Sequence, residues 1–206
     1  MSAPATITEV LADPEDPGLV RVRVGRALHG PLRRDEAERL RVEAGRRWTA
    51  TLARAVQALT DSVACRADAL RRLGRRDHSR ALLTERLEVR WGAALAARVV
   101  EELHAQGWLD DGGYARRRAE HLRSHGPISR EMIAARLEAE GVDAPEARRA
   151  AGRADRPEDI VGSVRAWKRA RRDPAWIART LGRRGFDFDT IVGALRAAGM
   201  PCPSED

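Results

Sequence analysis

The chain has 206 residues, and its 38 Lys and Arg against 31 Asp and Glu give a formal net charge of +7. Lys168 is the only lysine, so nearly all of the positive charge is arginine. No apolar stretch approaches the ~18 residues of a membrane span, and no secretory signal is visible. Cys65 and Cys202 are too few for a disulfide scaffold and too far apart for a metal knuckle. We therefore expect a cytoplasmic protein without membrane contact.

The first third of the chain predicts a small antiparallel sheet of two or three strands. Val20, Val22 and Val24 alternate with arginines, which is the pattern of a strand with one buried face. A turn at Gly25 leads into a second apolar segment, and the run ITEVL precedes both and is ended by the breaker DPEDPG. Because so small a sheet is marginal alone, we expect it to pack against the helices that follow.

From about residue 60 onward, the apolar residues have helical spacing and the sequence repeats. The segment SRALLTERL at 79–87 aligns with SREMIAARL at 129–137 and with DPAWIARTL at 173–181. The copies begin 50 and 44 residues apart, which is about the length of a three-helix unit. Three such units predict three tandem repeats that stack into an elongated, curved body.

The predicted helix ends support this alignment. Each copy begins with a residue that is favoured at a helix N-cap, namely Ser79, Ser129 and Asp173. Gly141 and Gly185 follow the second and third copies, where a helix C-terminus favours glycine. In the first copy Trp91 takes that position, and Gly92 comes one residue later.

The predicted fold class is therefore mainly α, with a small β-containing region at the N-terminal end. We expect the N-terminal region at residues 1–60 and a short tail at 201–206. The three three-helix repeats between them are expected at 61–108, 109–153 and 154–200.

No catalytic constellation is visible in the sequence. The patterns GxxxxGK[ST] and GxGxxG are absent, so we expect no intrinsic NTPase activity and no cofactor. His121 and His125 have the spacing of a two-histidine metal site, but no third ligand completes a motif. Asp110 and Asp111 precede a helix, where capping and the helix dipole explain them without a reaction.

The arginines form local clusters near residues 71–76, 116–118, 165–172 and 183–184, and no segment is a basic arm. One interpretation is that they are solvated helix faces, paired with nearby carboxylates. The other is that several clusters meet phosphates or an acidic protein surface, for which the planar guanidinium is well suited. Five tryptophans could stack on nucleic-acid bases, although the last two lie in apolar stripes and are expected in the core: Trp48, Trp91, Trp108, Trp167 and Trp176.

Two short motifs and their order along the chain resemble the RecX family, which regulates the RecA recombinase. The first is an R-x-H-S step at Arg76, His78 and Ser79. The second is an L-D-D-x-x-[FY]-A step formed by Leu109, Asp110, Asp111, Tyr114 and Ala115. The helix ends at 141–142 and 185–186 fit, and the segment ITEV…VRVRVGRALHG is similar to the strand-containing region of many family members. The resemblance extends from about residue 6 to residue 200.

The resemblance implies a tandem-repeat protein that binds in the groove of the RecA–DNA filament. There it would suppress ATP hydrolysis, strand exchange and filament growth, as a modulator and not an enzyme. We expect a monomer whose partner is the RecA filament, with single- or double-stranded DNA as a further contact and no small-molecule substrate. The arginines expected to contact the filament or its DNA are Arg75, Arg76, Arg116, Arg117, Arg123, Arg169, Arg171, Arg172, Arg183 and Arg184.

Two other functions remain open from the sequence. The basic composition is compatible with a stand-alone helical protein that binds DNA without sequence specificity through its arginines. A metal-dependent hydrolase that uses His121 and His125 is the third hypothesis, and metal analysis of the purified protein tests it.

Overall fold

A computed structural model describes residues 5–153 and 155–202. Within them the chain has three strands, β1 (Ile7–Ala12), β2 (Leu19–Val24) and β3 (Ala27–Arg33). Ten helices follow: α1 (Arg34–Arg39), α2 (Ala50–Leu73), α3 (Arg80–Trp91), α4 (Ala93–Ala105), α5 (Asp111–Ser124), α6 (Arg130–Ala139), α7 (Ala144–Ala151), α8 (Pro157–Arg169), α9 (Pro174–Arg183) and α10 (Phe188–Ala197). The predicted fold class, mainly helical with a small N-terminal sheet, is confirmed. Residues 1–4 of the predicted N-terminal region, residue 154 at the predicted start of the third repeat and residues 203–206 of the predicted tail lie outside the described residues.

The strands form one antiparallel sheet in the order β1-β2-β3. Val22 of β2 lies opposite Val10 of β1 and His29 of β3. The predicted alternation is observed, because Val20 and Val22 are buried on one face. The expected tight turn at Gly25 joins β2 to β3, and this glycine has a φ of 59°.

The buried face of the sheet is covered by the first two helices. Leu32 of β3 and Ala37 of α1 belong to the same core as Leu52 and Val56 of α2. Thr49 caps α2 by accepting a hydrogen bond from the Leu52 N–H at 3.2 Å. Helix α2 has 24 residues and continues across residues 60 and 61, so the predicted end of the N-terminal region falls inside it.

The chain divides into two compact units. Unit 1 comprises Met1–Asp77 and Leu83–Ala105, and unit 2 comprises His78–Leu82 and Gln106–Asp206. In unit 1, α2 packs against α4, and the buried residues of these helices include Cys65, Val99 and Leu103. Burial raises the pKa of the Cys65 thiol to about 11, so this cysteine is a protonated core residue at neutral pH.

Unit 2 contains two groups of three helices, each with its own core. In the first group, Tyr114 and Leu122 of α5 pack with Ile133 and Leu137 of α6 and Ala147 of α7. The second core is formed by residues of α8, α9 and α10: Ile160, Val164, Ile177, Leu181, Ile191 and Leu195. Trp167 and Trp176 are half-buried against it, with ring centroids 5.7 Å apart in an edge-to-face arrangement. That these groups belong to a stack of three repeats stays a prediction.

The predicted helix ends are confirmed. Ser79, Ser129 and Asp173 each accept a hydrogen bond from the backbone N–H three residues on. Gly141 and Gly185 have φ values of 78° and 90°, which glycine adopts at little cost. After α3 the left-handed residue is Gly92, with a φ of 77°, because α3 is longer than α6 and α9.

Lys168 of the neighbouring helix α8 caps the C-terminal end of α10. Its Nζ donates hydrogen bonds to the carbonyl oxygens of Ala198 and Gly199, at 2.8 and 2.9 Å. We expect Lys168→Met to lower the free energy of unfolding by about 1 kcal/mol, because two carbonyls lose a charged donor near a helix C-terminus. Urea denaturation followed by tryptophan fluorescence measures this loss. The matched control is Arg169→Met at the next residue, which is exposed, and an equal loss in the two variants would contradict the expectation.

Candidate functional site

The two sequence motifs meet at the start of α3, within unit 2. Ser79 caps α3 by accepting from the Leu82 N–H at 3.1 Å, and its hydroxyl donates to the carbonyl oxygen of Glu140. The backbone N–H and Nε of Arg80 donate to the two carboxylate oxygens of Asp111, at 2.9 and 3.0 Å. The first turn of α3 is therefore joined both to the start of α5 and to the end of α6. We call this set of contacts the first junction.

The carboxylate of Glu140 is the polar centre of the first junction. The Tyr114 hydroxyl donates to its Oε2 at 2.6 Å, and Nη2 of Arg118 donates to its Oε1 at 2.7 Å. Burial pushes the pKa of Glu140 upward, but the hydrogen bonds from Arg118 and Tyr114 outweigh it, so this pKa is lowered. Glu140 is thus an ionised, half-buried anchor. Sequence reasoning missed it because its partners are 22 and 26 residues away along the chain.

A second junction with corresponding contacts lies at the start of α6. The backbone N–H of Arg130 donates to Asp155 at 2.7 Å, and the Ser129 N–H donates to the Arg184 carbonyl at 3.0 Å. A Cβ on Gly185 would overlap Ser129 Oγ. Ser129 and Arg130 follow their counterparts at α3 by 50 residues, whereas Asp155 and Arg184 follow theirs by 44. The same offsets separate the aligned helix starts, so the repeat alignment identifies Asp155 as the counterpart of Asp111 once the Arg80–Asp111 contact is known.

The motif residues are mostly structural. Asp110 accepts from the Gly113 N–H at 3.0 Å as the N-cap of α5, and this hydrogen bond lowers its pKa. Its capping role, predicted from the sequence, is confirmed. Asp111 is half-buried and bound to Arg80, a contact that the sequence did not reveal. The remaining residues of the two motifs are buried, except for the exposed Arg76: His78, Ser79, Leu109, Tyr114 and Ala115.

Arg123, Arg172 and Arg184 are candidate arginines whose side chains contact named groups inside unit 2. Arg123 Nη2 donates to the Ala151 carbonyl, and Arg184 Nη1 donates to the Pro127 carbonyl at 2.8 Å. The guanidinium of Arg172 lies over the Trp176 ring, 4.9 Å from its centroid. Arg184 is half-buried, so part of its hydrogen-bonding capacity is already used inside unit 2.

The other seven candidates are exposed. Arg76 and Arg117 also take part in contacts within the chain. The remaining five have no side-chain hydrogen bond or ion pair with any described residue: Arg75, Arg116, Arg169, Arg171 and Arg183. Arg75 and Arg76 belong to unit 1, and the other eight candidates belong to unit 2. We call the three exposed arginines at the ends of α8 and α9, Arg169, Arg171 and Arg183, the α8–α9 arginine set.

The other candidate groups from the sequence are dispersed. His121 and His125 are neighbours on α5, with ring centroids 4.5 Å apart, and the described residues contain no group of three side chains suited to a metal ion. Trp48 packs on His29 with a centroid separation of 4.9 Å. Trp108 is 57% exposed and lies before α5. In the described part of the chain, no helix combines the length and apolar character that a bilayer span requires.

Comparisons with known proteins point to one group of relatives. No family profile matches the sequence. The chain is 37% identical over 131 residues to the regulatory protein RecX of one strain of Thermus thermophilus, a match that covers 63% of this chain and 89% of that protein. RecX of a second Thermus thermophilus strain matches with the same identity and coverage.

Two crystal structures have a similar fold. The structure of a regulatory protein RecX aligns with a TM-score of 0.66 and 14% identity, covering 96% of this chain and 95% of that chain. RecX from Lactobacillus salivarius aligns with a TM-score of 0.54 and 16% identity, covering 68% of this chain and 97% of that chain. At these identities the structural matches concern the fold alone.

Proposed function

Because the chain belongs to the RecX family of regulatory proteins, we propose that it regulates a RecA-type recombinase from the groove of the RecA–DNA filament. There it suppresses ATP hydrolysis, strand exchange and filament growth without catalysing a reaction or using a cofactor. The observation that carries the proposal is the 37% identity to RecX proteins, which covers 89% of their length. A partner of this kind places the protein in the cytoplasm.

The exposed arginines are the proposed contacts with the filament. A guanidinium that makes no ion pair with the protein can bind a DNA phosphate or an acidic side chain in a two-point contact. The α8–α9 arginine set fits this role, whereas Arg123 and Arg184 mainly hold unit 2 together through backbone carbonyls. Many exposed contacts of this kind make filament binding weaken as salt is added.

The test is the DNA-dependent ATPase of the recombinase. We expect substoichiometric amounts of this protein to lower the ATPase rate on single-stranded DNA. The triple variant with Arg169→Gln, Arg171→Gln and Arg183→Gln should need a concentration at least about tenfold higher than that of the unmodified protein for half-inhibition. The reason is that three exposed contacts of about 0.5–1 kcal/mol each are lost. An unchanged ATPase rate at saturating protein would contradict the proposal.

A matched control separates specific contacts from overall charge. Arg26, Arg54 and Arg148 are also exposed, and Arg26→Gln, Arg54→Gln and Arg148→Gln remove the same three charges elsewhere. This variant should inhibit within about twofold of the unmodified protein. If both triple variants lose inhibition equally, the α8–α9 arginine set is not a contact surface.

Stand-alone DNA binding is the second candidate function, favoured by the five exposed arginines without ion pairs. Fluorescence anisotropy with labelled single- and double-stranded DNA, with and without bound recombinase, distinguishes the two. We expect naked DNA to bind more weakly than the filament at the same salt concentration. Equal or tighter binding to naked DNA would favour the second function.

A further inference from the structure

Unit 2 contains a cavity of about 570 Å³ beside the second junction. This volume lies within the range of cavities that bind small ligands or side chains. Its apolar lining comes from both helix groups of the unit: Ile128, Ile133, Ile160 and Phe186. The lining residue Ser163 of α8 is half-buried. The cavity can therefore hold an apolar group of moderate size.

Charged side chains line the rest of the cavity. Arg123, Arg130 and Arg153 contribute three guanidinium groups, against the two carboxylates of Asp155 and Asp159. Both carboxylates have partners within the chain, because Asp155 accepts from the Arg130 N–H and Asp159 pairs with Arg153. Glu131 also lies beside this site, because its Oε1 is 3.7 Å from Nη1 of Arg130 and its side chain interacts with Asp155. The three guanidinium groups therefore face three carboxylates, so hydrogen bonding by a particular arginine, and not net charge, selects a ligand.

Arg130 has an unpartnered donor. Its Nε is buried and has no hydrogen-bond partner among the described residues, and its Nη1 is 3.7 Å from Glu131. A buried charged donor without an acceptor is unfavourable, so a ligand that accepts a hydrogen bond from this Nε is stabilised.

The first junction shows what an arginine at this position binds. Arg80 is the counterpart of Arg130 in the repeat alignment, and its backbone N–H and Nε both donate to Asp111. At the second junction, Asp155 accepts from the backbone N–H of Arg130 but makes no hydrogen bond with its Nε. The Nε of Arg80 is therefore paired with a carboxylate in the first junction, whereas the Nε of Arg130 has no acceptor among the described residues of the second.

We propose that this cavity binds a carboxylate carried beside an apolar group, as in a leucine–glutamate segment of a protein partner. Because the Nε atom is buried, the Arg130 side chain must turn to present it to the carboxylate, and the apolar group packs against Ile133 and Ile160. A phosphate fits less well, because it has no apolar group to pack against these isoleucines. This inference goes beyond the proposed function and does not depend on it.

Binding is tested with defined probes and the full chain, in the absence of recombinase. The probes are N-acetyl-Leu-Glu-amide, N-acetyl-Leu-Gln-amide, 4-methylvalerate and inorganic phosphate. NMR titration follows the isoleucine methyl groups and the arginine Nε–H signals. We expect saturable shifts at Ile133 and Ile160 and a downfield shift of the Arg130 Nε proton with the glutamate peptide. Binding of the glutamine peptide should be at least tenfold weaker.

The relative affinities of the four probes distinguish the possible ligands. Tighter binding of the glutamate peptide than of 4-methylvalerate identifies a protein segment as the source of the carboxylate, and the reverse order identifies a free small acid. Either order supports a carboxylate site. Equal binding of the glutamine peptide, binding of phosphate as tight as that of the glutamate peptide, or no saturable shift with any probe would overturn it.

Three variants test the residues. Arg130→Gln should weaken binding of the glutamate peptide at least tenfold, and its backbone N–H can still bond Asp155. Ser163→Leu fills the cavity from α8, so we expect a similar loss although all three arginines remain. Arg148→Gln is the control, because this exposed arginine does not line the cavity, and the affinity of the variant for the glutamate peptide should change less than twofold. Unchanged affinity in the first two variants, with an unchanged amide spectrum, would refute the proposal.

Discussion

Replacing Gly141 with alanine is expected to lower the free energy of unfolding by about 3 kcal/mol. Gly141 has a φ of 78°, and an alanine in this left-handed conformation costs about 1 kcal/mol. Its Cβ would also overlap the Cβ of Ala81, so the first turn of α3 would have to move away from the end of α6. Overpacking of this kind costs about 1–3 kcal/mol. Urea denaturation measures the loss.

Gly92 supplies the matched control. Its φ of 77° is nearly the same, but a Cβ there would meet nothing within 4 Å. Gly92→Ala should therefore cost only the about 1 kcal/mol of backbone strain. In the Gly141→Ala background, Ala81→Gly should restore part of the loss, although a glycine inside a helix itself costs about 1 kcal/mol. Equal losses in Gly92→Ala and Gly141→Ala would show that the close approach at Ala81 is unimportant.

Glu140→Gln is expected to lower the free energy of unfolding by about 2 kcal/mol near pH 7, because it leaves the partly buried Arg118 without its counter-charge. The pKa of Glu140 is lowered from its ordinary value of 4.5 in the folded chain. The stability that its ionisation contributes is therefore present above pH 4.5 and is lost as the pH falls through the lower folded pKa. The difference between the two proteins should shrink in acid.

Urea denaturation at about pH 7 and about pH 3 checks this dependence. Glu138→Gln, at an exposed residue in the last turn of α6, should leave the stability within about 0.5 kcal/mol. Tyr114→Phe removes one neutral donor to Glu140 and should cost about 1 kcal/mol at neutral pH. A difference between Glu140→Gln and the unmodified protein that stays constant with pH would show that the ionisation of Glu140 does not stabilise the fold.

The elements of this fold were predictable where local chemistry determines them. The alternation at Val20 and Val22 predicts a strand, because every second side chain faces the same side of the sheet. Ser79 and Ser129 predict helix starts, because their hydroxyls can accept from a nearby backbone N–H that has no partner in the helix. Gly141 predicts a helix end, because helices commonly end at a residue in the left-handed conformation, which glycine adopts most easily.

The contacts between elements were less accessible from the sequence. Glu140 ends a helix beside other charged residues, and nothing in its neighbourhood indicates that it binds Tyr114 and Arg118 from another helix. Arg184 belongs to a basic cluster, and its bond to the Pro127 carbonyl crosses 57 residues of chain. An arginine's partner depends on tertiary packing, so composition and clustering predict a positive surface but not which guanidinium groups remain available to a partner.

The chain's only side-chain amine is the Nζ that closes α10. An acylating label or crosslinker directed at amines has one side-chain target, Lys168, and acylation would remove the charge that holds the Ala198 and Gly199 carbonyls. Such a reagent would destabilise the C-terminal end of unit 2 in the same experiment that is meant to identify the residues near it. Reagents that modify guanidinium groups or carboxylates are therefore the better choice for testing the proposed contact surface for the recombinase.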